Sequence, residues 1–282
     1  MYHAPITQGA DRGSASDQEI GSDQGSGLFS VLIYNIAGLS DWISKSTPSV
    51  NTPIISELIN RYDLVLVQED FEYHDALDKD ARHTFRSSTQ TDNAIFGSDG
   101  LNRYSDTEFD AYERIQWQEC YGYVRYSNDC LAVKGFTVAS HQVNPDLRLD
   151  VYNLHADAGR SEGDKKARRS EFEQLASYIS QHSKNKAIIV AGDTNLKISD
   201  SEDEEIIRGF LEQTGLQIVA RVLPGVPERI DKVMFRSSAT LQLIPVTRQI
   251  AEEFVDDQGI PLSDHLALAV SFQWRVVAAS GH

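Results

Sequence analysis

Asn35, Glu69, His155, Asp193, Asn195, Asp231, Asp264 and His265 are the residues of this sequence whose types suit catalytic chemistry. Glu69 and Asp264 offer hard carboxylate oxygens, and Asn35 can add an amide oxygen. That donor set suits Mg²⁺, with Mn²⁺ or Ca²⁺ as substitutes. Two histidines, His155 and His265, can move protons near neutral pH and hydrogen-bond a phosphoryl oxygen. Carboxylates beside them would hold each ring's tautomer. Asp193 is then left to act as general base on a water, with Asn195 donating hydrogen bonds.

Each of these residues stands at the boundary of an apolar run. Asn35 ends FSVLIYN, Glu69 follows LVLVQ, His155 ends VYNLH, and Asp193 with Asn195 ends AIIVAGDTN. Asp231 precedes KVMFR, and Asp264-His265 precedes LALAV. A single case would mean little, because Asp and Asn are common turn residues. Repetition along the whole chain implies convergence on one edge of a sheet sandwich.

The elements that must hold them follow from periodicity. Strands are predicted at Phe29–Asn35, Leu64–Gln68, Cys130–Ala139, Arg148–Leu154, Ala187–Ala191, Lys232–Arg236, Leu241–Thr247 and Leu266–Trp274. Helices are predicted at Gly163–Gln181, at Glu202–Glu212, and after Pro53 with Thr52 as N-cap. Helices separate some strands, while later strands follow one another closely. The expected class is therefore α/β (α+β): a four-layer α/β/β/α sandwich of two mixed β-sheets with outer helices. Residues 1–27 are rich in Gly, Ser, Asp and Gln and read as a disordered leader. Residues 28–275 read as one catalytic domain, and 276–282 as a tail.

A formal charge of −16 argues against a broad basic face for nucleic acid, though not against a metal-assisted visit to a phosphodiester. No apolar run is long enough for a transmembrane helix, and the first residues lack the basic and apolar regions of a signal peptide. A monomer is the default expectation. Cys120 and Cys130 could close a disulfide loop in an exported or periplasmic protein, or remain thiols in a cytoplasmic one. The basic stretch Lys165 to Arg169 reads as a solvated helix face, with Phe172, Leu175, Ala176 and Ile179 as the apolar stripe.

The series YN, VQE, LH, AGDTN, RID and SDH, in that order across residues 31–272, resembles the endonuclease/exonuclease/phosphatase superfamily. That superfamily includes pancreatic-type deoxyribonuclease, abasic-site endonucleases, sphingomyelinases and inositol-polyphosphate phosphatases. The resemblance implies metal-dependent hydrolysis of phosphoric esters by in-line attack of an activated water. Glu69 would be the principal metal ligand, supported by Asn35 and Asp264. Asp231 would orient His265 at the scissile phosphate. Asp193 would position or deprotonate the water, Asn195 would bind the phosphate or orient that water, and His155 would assist at the phosphoryl group or leaving group.

By the same resemblance Asp99 would orient His155, although GLNRYSD departs from the family's pattern there. Arg103 and Tyr104 would contact substrate. The segments DCLAVKGF and YNLHADAG are similar to the sphingomyelinase-like branch, while Ala191 and Glu228 to Asp231 do not match the inositol-phosphatase pattern. The leading substrate class is a phospholipid or other small phosphodiester. A nuclease is the alternative, and a catalytically inactive binding protein a second. Trp117–Tyr126, with four aromatic residues, could touch a membrane or could be an ordinary buried hairpin.

Overall fold

The protein is described by a computed structural model covering residues 25–44, 46–89, 98–122 and 133–277. Its first sheet has the strand order β11-β12-β1-β2-β4-β3. These are Leu241–Ile250, Leu268–Val276, Ser26–Asn35, Leu64–Gln68, Asn102–Ser105 and Phe85–Arg86. The second sheet runs β5-β6-β7-β8-β10-β9, which are Phe109–Gln116, Gly135–Asn144, Leu147–His155, Ile188–Asp193, Asp231–Arg236 and Gln217–Ile218. Both are mixed. Each has a single parallel pair, β1 with β2 and β7 with β8, among antiparallel neighbours.

Side-chain alternation along a strand sorts these residues into layers. Val31, Ile33, Leu64, Leu66, Val151, Ile189, Ala191 and Val233 meet between the two sheets. Their neighbours of opposite parity face outward. Leu32, Val65 and Val67 of the first sheet pack with Ile55, Ile59 and Leu77, from or beside helices α1 (Pro48–Leu58) and α2 (His74–Lys79). Tyr152, Leu154, Ile188 and Val190 of the second pack under helices α3 (Glu162–His182) and α4 (Ser201–Thr214). The result is the expected four-layer sandwich. Each fully buried aliphatic side chain in these layers stabilises the fold by about 1.5–3 kcal/mol.

Helix α3 forms where its i, i+3, i+4, i+7 stripe predicts, burying Phe172, Leu175, Ala176 and Ile179. Ser161 and Asp164 close a capping box at its start. Its basic stretch is not uniformly solvated: Arg168 is fully buried and pairs with buried Asp203 at 3.1 Å. Helix α1 begins earlier than expected. Pro48 occupies its first turn, where a missing N–H costs nothing, so Pro53 falls inside the helix and Thr52 does not cap it. Strands β3, β4 and β5 were not legible. β4 reads NRYS, and β5 is a polar edge strand with a bulge between Asp110 and Glu113.

The leader expected at 1–27 lies outside the described residues up to 24, but Ser26 and Gly27 already pair with Arg275 and Trp274. Val276 ends β12, and 278–282 lie outside. Cys120 is exposed; Cys130 is outside the described residues.

Candidate active site

The inter-sheet layer changes character at one end. Strand residues of the same parity as its apolar members become polar: Asn35 continues Val31 and Ile33, and Gln68 continues Leu64 and Leu66. His155 continues Val151, and Asp193 continues Ile189 and Ala191. Antiparallel neighbours reach the same edge with their first residues. Asp231 opens β10 directly opposite Asp193, and His265 lies just before β12, whose Leu268 pairs with Ile33. Parallel strands therefore deliver site residues at their ends and antiparallel ones at their beginnings.

The second sheet contributes three residues in one row, because His155 pairs with Asp193 and Asp193 with Asp231. Gly192 makes the row tight. Its φ is +138°, and a Cβ there would lie 2.0 Å from the Leu154 carbonyl oxygen, so only glycine fits. Two site residues hold left-handed backbone without being glycine, Glu69 at φ 56° and Asn195 at φ 50°. Such strain persists only where surrounding structure imposes it.

Asp193 is the hub. Its Oδ1 accepts the Asn195 backbone N–H at 3.0 Å, and its Oδ2 accepts Asn35 Nδ2 at 3.2 Å. Nε2 of His155 and Nε2 of His265 each stand 3.6 Å from that Oδ2. Asn35 Nδ2 also donates to Glu69 Oε1 at 3.0 Å, and His155 Nε2 lies 3.8 Å from the same oxygen. His265 Nδ1 is 3.0 Å from both oxygens of Asp231. Asn195 Nδ2 donates to the Ala156 carbonyl at 3.0 Å.

Electrostatics separates the two histidines. Burial works against a charge on His265, but the bond to Asp231 and the charges of Asp193, Asp231 and Asp264 outweigh it, raising its pKa to about 9. His155 is fully buried, and desolvation with nearby positive charge from Lys134 and His265 drives its pKa well below the usual value. One ring is thus a cation and the other neutral at pH 7. Burial, then the neighbouring Asp231, pushes the Asp193 carboxyl upward, toward basicity.

A divalent cation fits this donor set. Glu69 and Asp193 place carboxylate oxygens on one amide, and Asp193, Asp231 and His265 have ligand atoms within 4.8 Å of one another. Since His265 and Asp231 engage each other, Glu69 and Asn35 are the residues that would hold the ion, Asn35 through the side-chain oxygen that here accepts the Ala37 N–H at 3.0 Å.

Several expected residues lie elsewhere. Asp264 is exposed and outside that cluster, acting on His265 and Tyr34 through its charge. Asp99 does not reach His155. It pairs with Arg114 at 2.5 Å and accepts the Leu101 N–H, whereas His155 Nδ1 is buried without a hydrogen-bond partner among the described residues. Arg103 and Tyr104 are buried in β4 and cannot meet substrate. Arg103 donates to Thr137, His141 and the Val151 carbonyl, because alternation turns it into the space between the sheets.

Trp117 is buried, its Nε1 donating to the His155 carbonyl at 2.8 Å; residues 123–126 of that stretch lie outside the described residues. Lys134 was missed. It is buried, donates to the Ala156 carbonyl, and supplies positive charge to His155 and Asp193. Its only sequence signal is the VKG run before β6.

Residues 35–220 match the Endonuclease/Exonuclease/phosphatase family 2. A sphingomyelinase of Mycobacterium tuberculosis is 32% identical over 277 residues, which is 90% of this chain and 54% of that protein. The chain thus spans about half the length of that relative. Among solved structures, Staphylococcus aureus beta toxin with bound magnesium ions aligns at a TM-score of 0.61 and 14% identity, over 86% of this chain and 98% of that one. D. rerio TDP2 with a single-strand DNA product aligns at 0.65 and 18%, over 87% and 98%. With Asn35, Glu69, His155, Asp193 and Asn195 inside the matched region, the chain belongs to the endonuclease/exonuclease/phosphatase family, on the sphingomyelinase-like side of it.

Proposed function

We propose that this chain is a divalent-metal-dependent phosphodiester hydrolase. The observation that carries the reading is Asp193 held between a neutral and a cationic histidine, beside Glu69 and Asn35. Asp193, fixed by the Asn195 N–H, takes a proton from the attacking water. Protonated His265, steadied by Asp231, donates to a phosphoryl oxygen and stabilises the charge that builds there. Neutral His155, whose Nε2 stands 3.6 Å from the same Asp193 oxygen, donates its ring N–H to a phosphoryl or leaving-group oxygen. Glu69 and Asn35 would hold a divalent ion, Mg²⁺ by ligand chemistry, which would supply charge neutralisation at the phosphoryl group.

The lead substrate is a phospholipid of the sphingomyelin type, and a surface feature supports it. Trp42 is 97% exposed and Ile43 58%, in the loop after Asn35. Ser49 bonds to Asp41, which brings the 59% exposed Val50 beside them. Asn51 bonds to the Leu262 carbonyl, two residues from the 56% exposed Ile260. Exposed apolar side chains clustered at a site's rim suit transient contact with a lipid surface. Among the described residues no helix is long and apolar enough to cross a membrane.

A nuclease is the second reading. Exposed Lys197 and Arg229 line a cavity of about 260 Å³ with Ile198 and Ile230, next to Asn195 and Asp231, and could meet a flanking phosphate. Side-by-side hydrolysis of bis-(p-nitrophenyl) phosphate, DNA and sphingomyelin, with and without EDTA, separates the readings. Absence of EDTA-sensitive turnover on all three would falsify the enzyme assignment.

A further inference from the structure

The two halves of the site sit on different sheets. Glu69 and Asn35 come from the first, His155 and Asp193 from the second. Below them the sheets meet through aliphatic side chains such as Ile33, Leu66, Val151 and Ala191. Apolar contact is non-directional and does not by itself fix how one sheet slides over the other; Arg103 adds directional bonds from β4 to Thr137, His141 and the Val151 carbonyl.

Besides the Arg103 bonds, a polar junction crosses the gap next to the site residues themselves. Gln68 Nε2 donates to Asn153 Oδ1 at 2.7 Å, and Asn153 Nδ2 donates to the carbonyls of Val67 at 2.9 Å and Asn102 at 3.2 Å. Both side chains are fully buried. Gln68 immediately precedes Glu69, and Asn153 lies two residues before His155. Gln68 Oε1, moreover, is buried with no hydrogen-bond partner among the described residues. A buried amide with an orphaned oxygen is a poor device for stability, since an apolar side chain of the same shape would avoid that desolvation. Its directional bonds are what an aliphatic pair could not supply.

We propose that Gln68 and Asn153 are positioning residues: a cross-sheet clamp that sets the spacing of Glu69 and Asn35 against His155 and Asp193. The inference rests on the hydrolase reading for its catalytic consequence, but not for its structural one. Replacing both amides by apolar side chains of similar volume separates geometry from stability.

The test compares the full chain with the Gln68→Met, Asn153→Leu double variant. Measured are Tm with and without Mg²⁺, and kcat, KM and the Mg²⁺ concentration for half-activation on bis-(p-nitrophenyl) phosphate. The clamp predicts a variant that still folds, with a Tm without Mg²⁺ lowered only by the loss of the Asn153 bonds to the Val67 and Asn102 carbonyls. It also predicts a Mg²⁺-induced rise in Tm at most half that of wild type, at least a tenfold loss of kcat and at least a fivefold higher Mg²⁺ requirement, with KM within threefold. A folded double variant that keeps kcat and its Mg²⁺ response within twofold overturns it.

Should the double variant not fold, Gln68→Met alone leaves both Asn153 Nδ2 bonds in place and is read by the same measures. Wild-type protein without EDTA-sensitive turnover sinks the hydrolase reading instead. The clamp then stands or falls on the Mg²⁺-induced rise in Tm.

Discussion

His155 and Asp193 are register partners across the parallel β7–β8 ladder, and their Nε2 and Oδ2 atoms stand 3.6 Å apart. The ladder that pairs them also brings β8 so close to β7 that Gly192 cannot carry a side chain. Backbone pairing and site geometry are therefore one constraint. A slip of one residue would turn every site residue of β8 away from the other sheet.

Asp193→Asn keeps the shape of the side chain and an acceptor for the Asn195 N–H but removes the base. The expected outcome is a fall in kcat of roughly 10²–10⁴ with little change in Tm. Steady-state hydrolysis of bis-(p-nitrophenyl) phosphate checks it, and wild-type rates in the variant would refute the role.

The His265–Asp231 pair gives a pH prediction with a definite sign. His265 is raised to about 9 in the folded protein from the ordinary 6.5. Its stabilising contribution is thus fully present below 6.5 and is lost as pH rises through about 9. Activity that depends on the cationic ring follows the same limb. In Asp231→Asn the alkaline limb of the pH–rate profile moves down toward 6.5; an unmoved limb excludes His265 as the titrating acid.

Glu69→Gln retains a hydrogen-bonding side chain while removing the charge that holds the cation. The Mg²⁺ concentration for half-activation should rise at least tenfold, about 1.4 kcal/mol of binding. Calorimetric Mg²⁺ titration of both proteins measures it directly.

Trp42→Ser with Ile43→Ser should leave turnover of a soluble diester within twofold. Turnover of sphingomyelin in vesicles, and vesicle co-sedimentation, should fall at least tenfold if the rim patch enters the lipid surface. Equal losses on both substrates would place these residues in catalysis rather than docking.

Gly192→Ala forces a Cβ to within 2.0 Å of the Leu154 carbonyl oxygen at a φ that L residues avoid. The expected cost is about 3 kcal/mol or more, from strain and overpacking together. Chemical denaturation of the variant reads this.

The sequence by itself determined the chemical types at the ends of the strands, and with them the inward face. Alternation carries Val31 and Ile33 to Asn35, and Ile189 and Ala191 to Asp193, whatever the partners are. The stripe of α3 was legible for the same reason. Only the tertiary structure decided which strand lies beside which, and so which polar group meets which. Arg103 looked available to substrate and is buried between sheets; Asp99 is taken by Arg114; Asp264 points to solvent while Lys134 sits under the site. The Gln68–Asn153 bond joins residues 85 apart in the chain. Local periodicity tells which way a side chain faces. What stands opposite depends on how two sheets pack, and that is fixed by the sum of contacts along the whole chain.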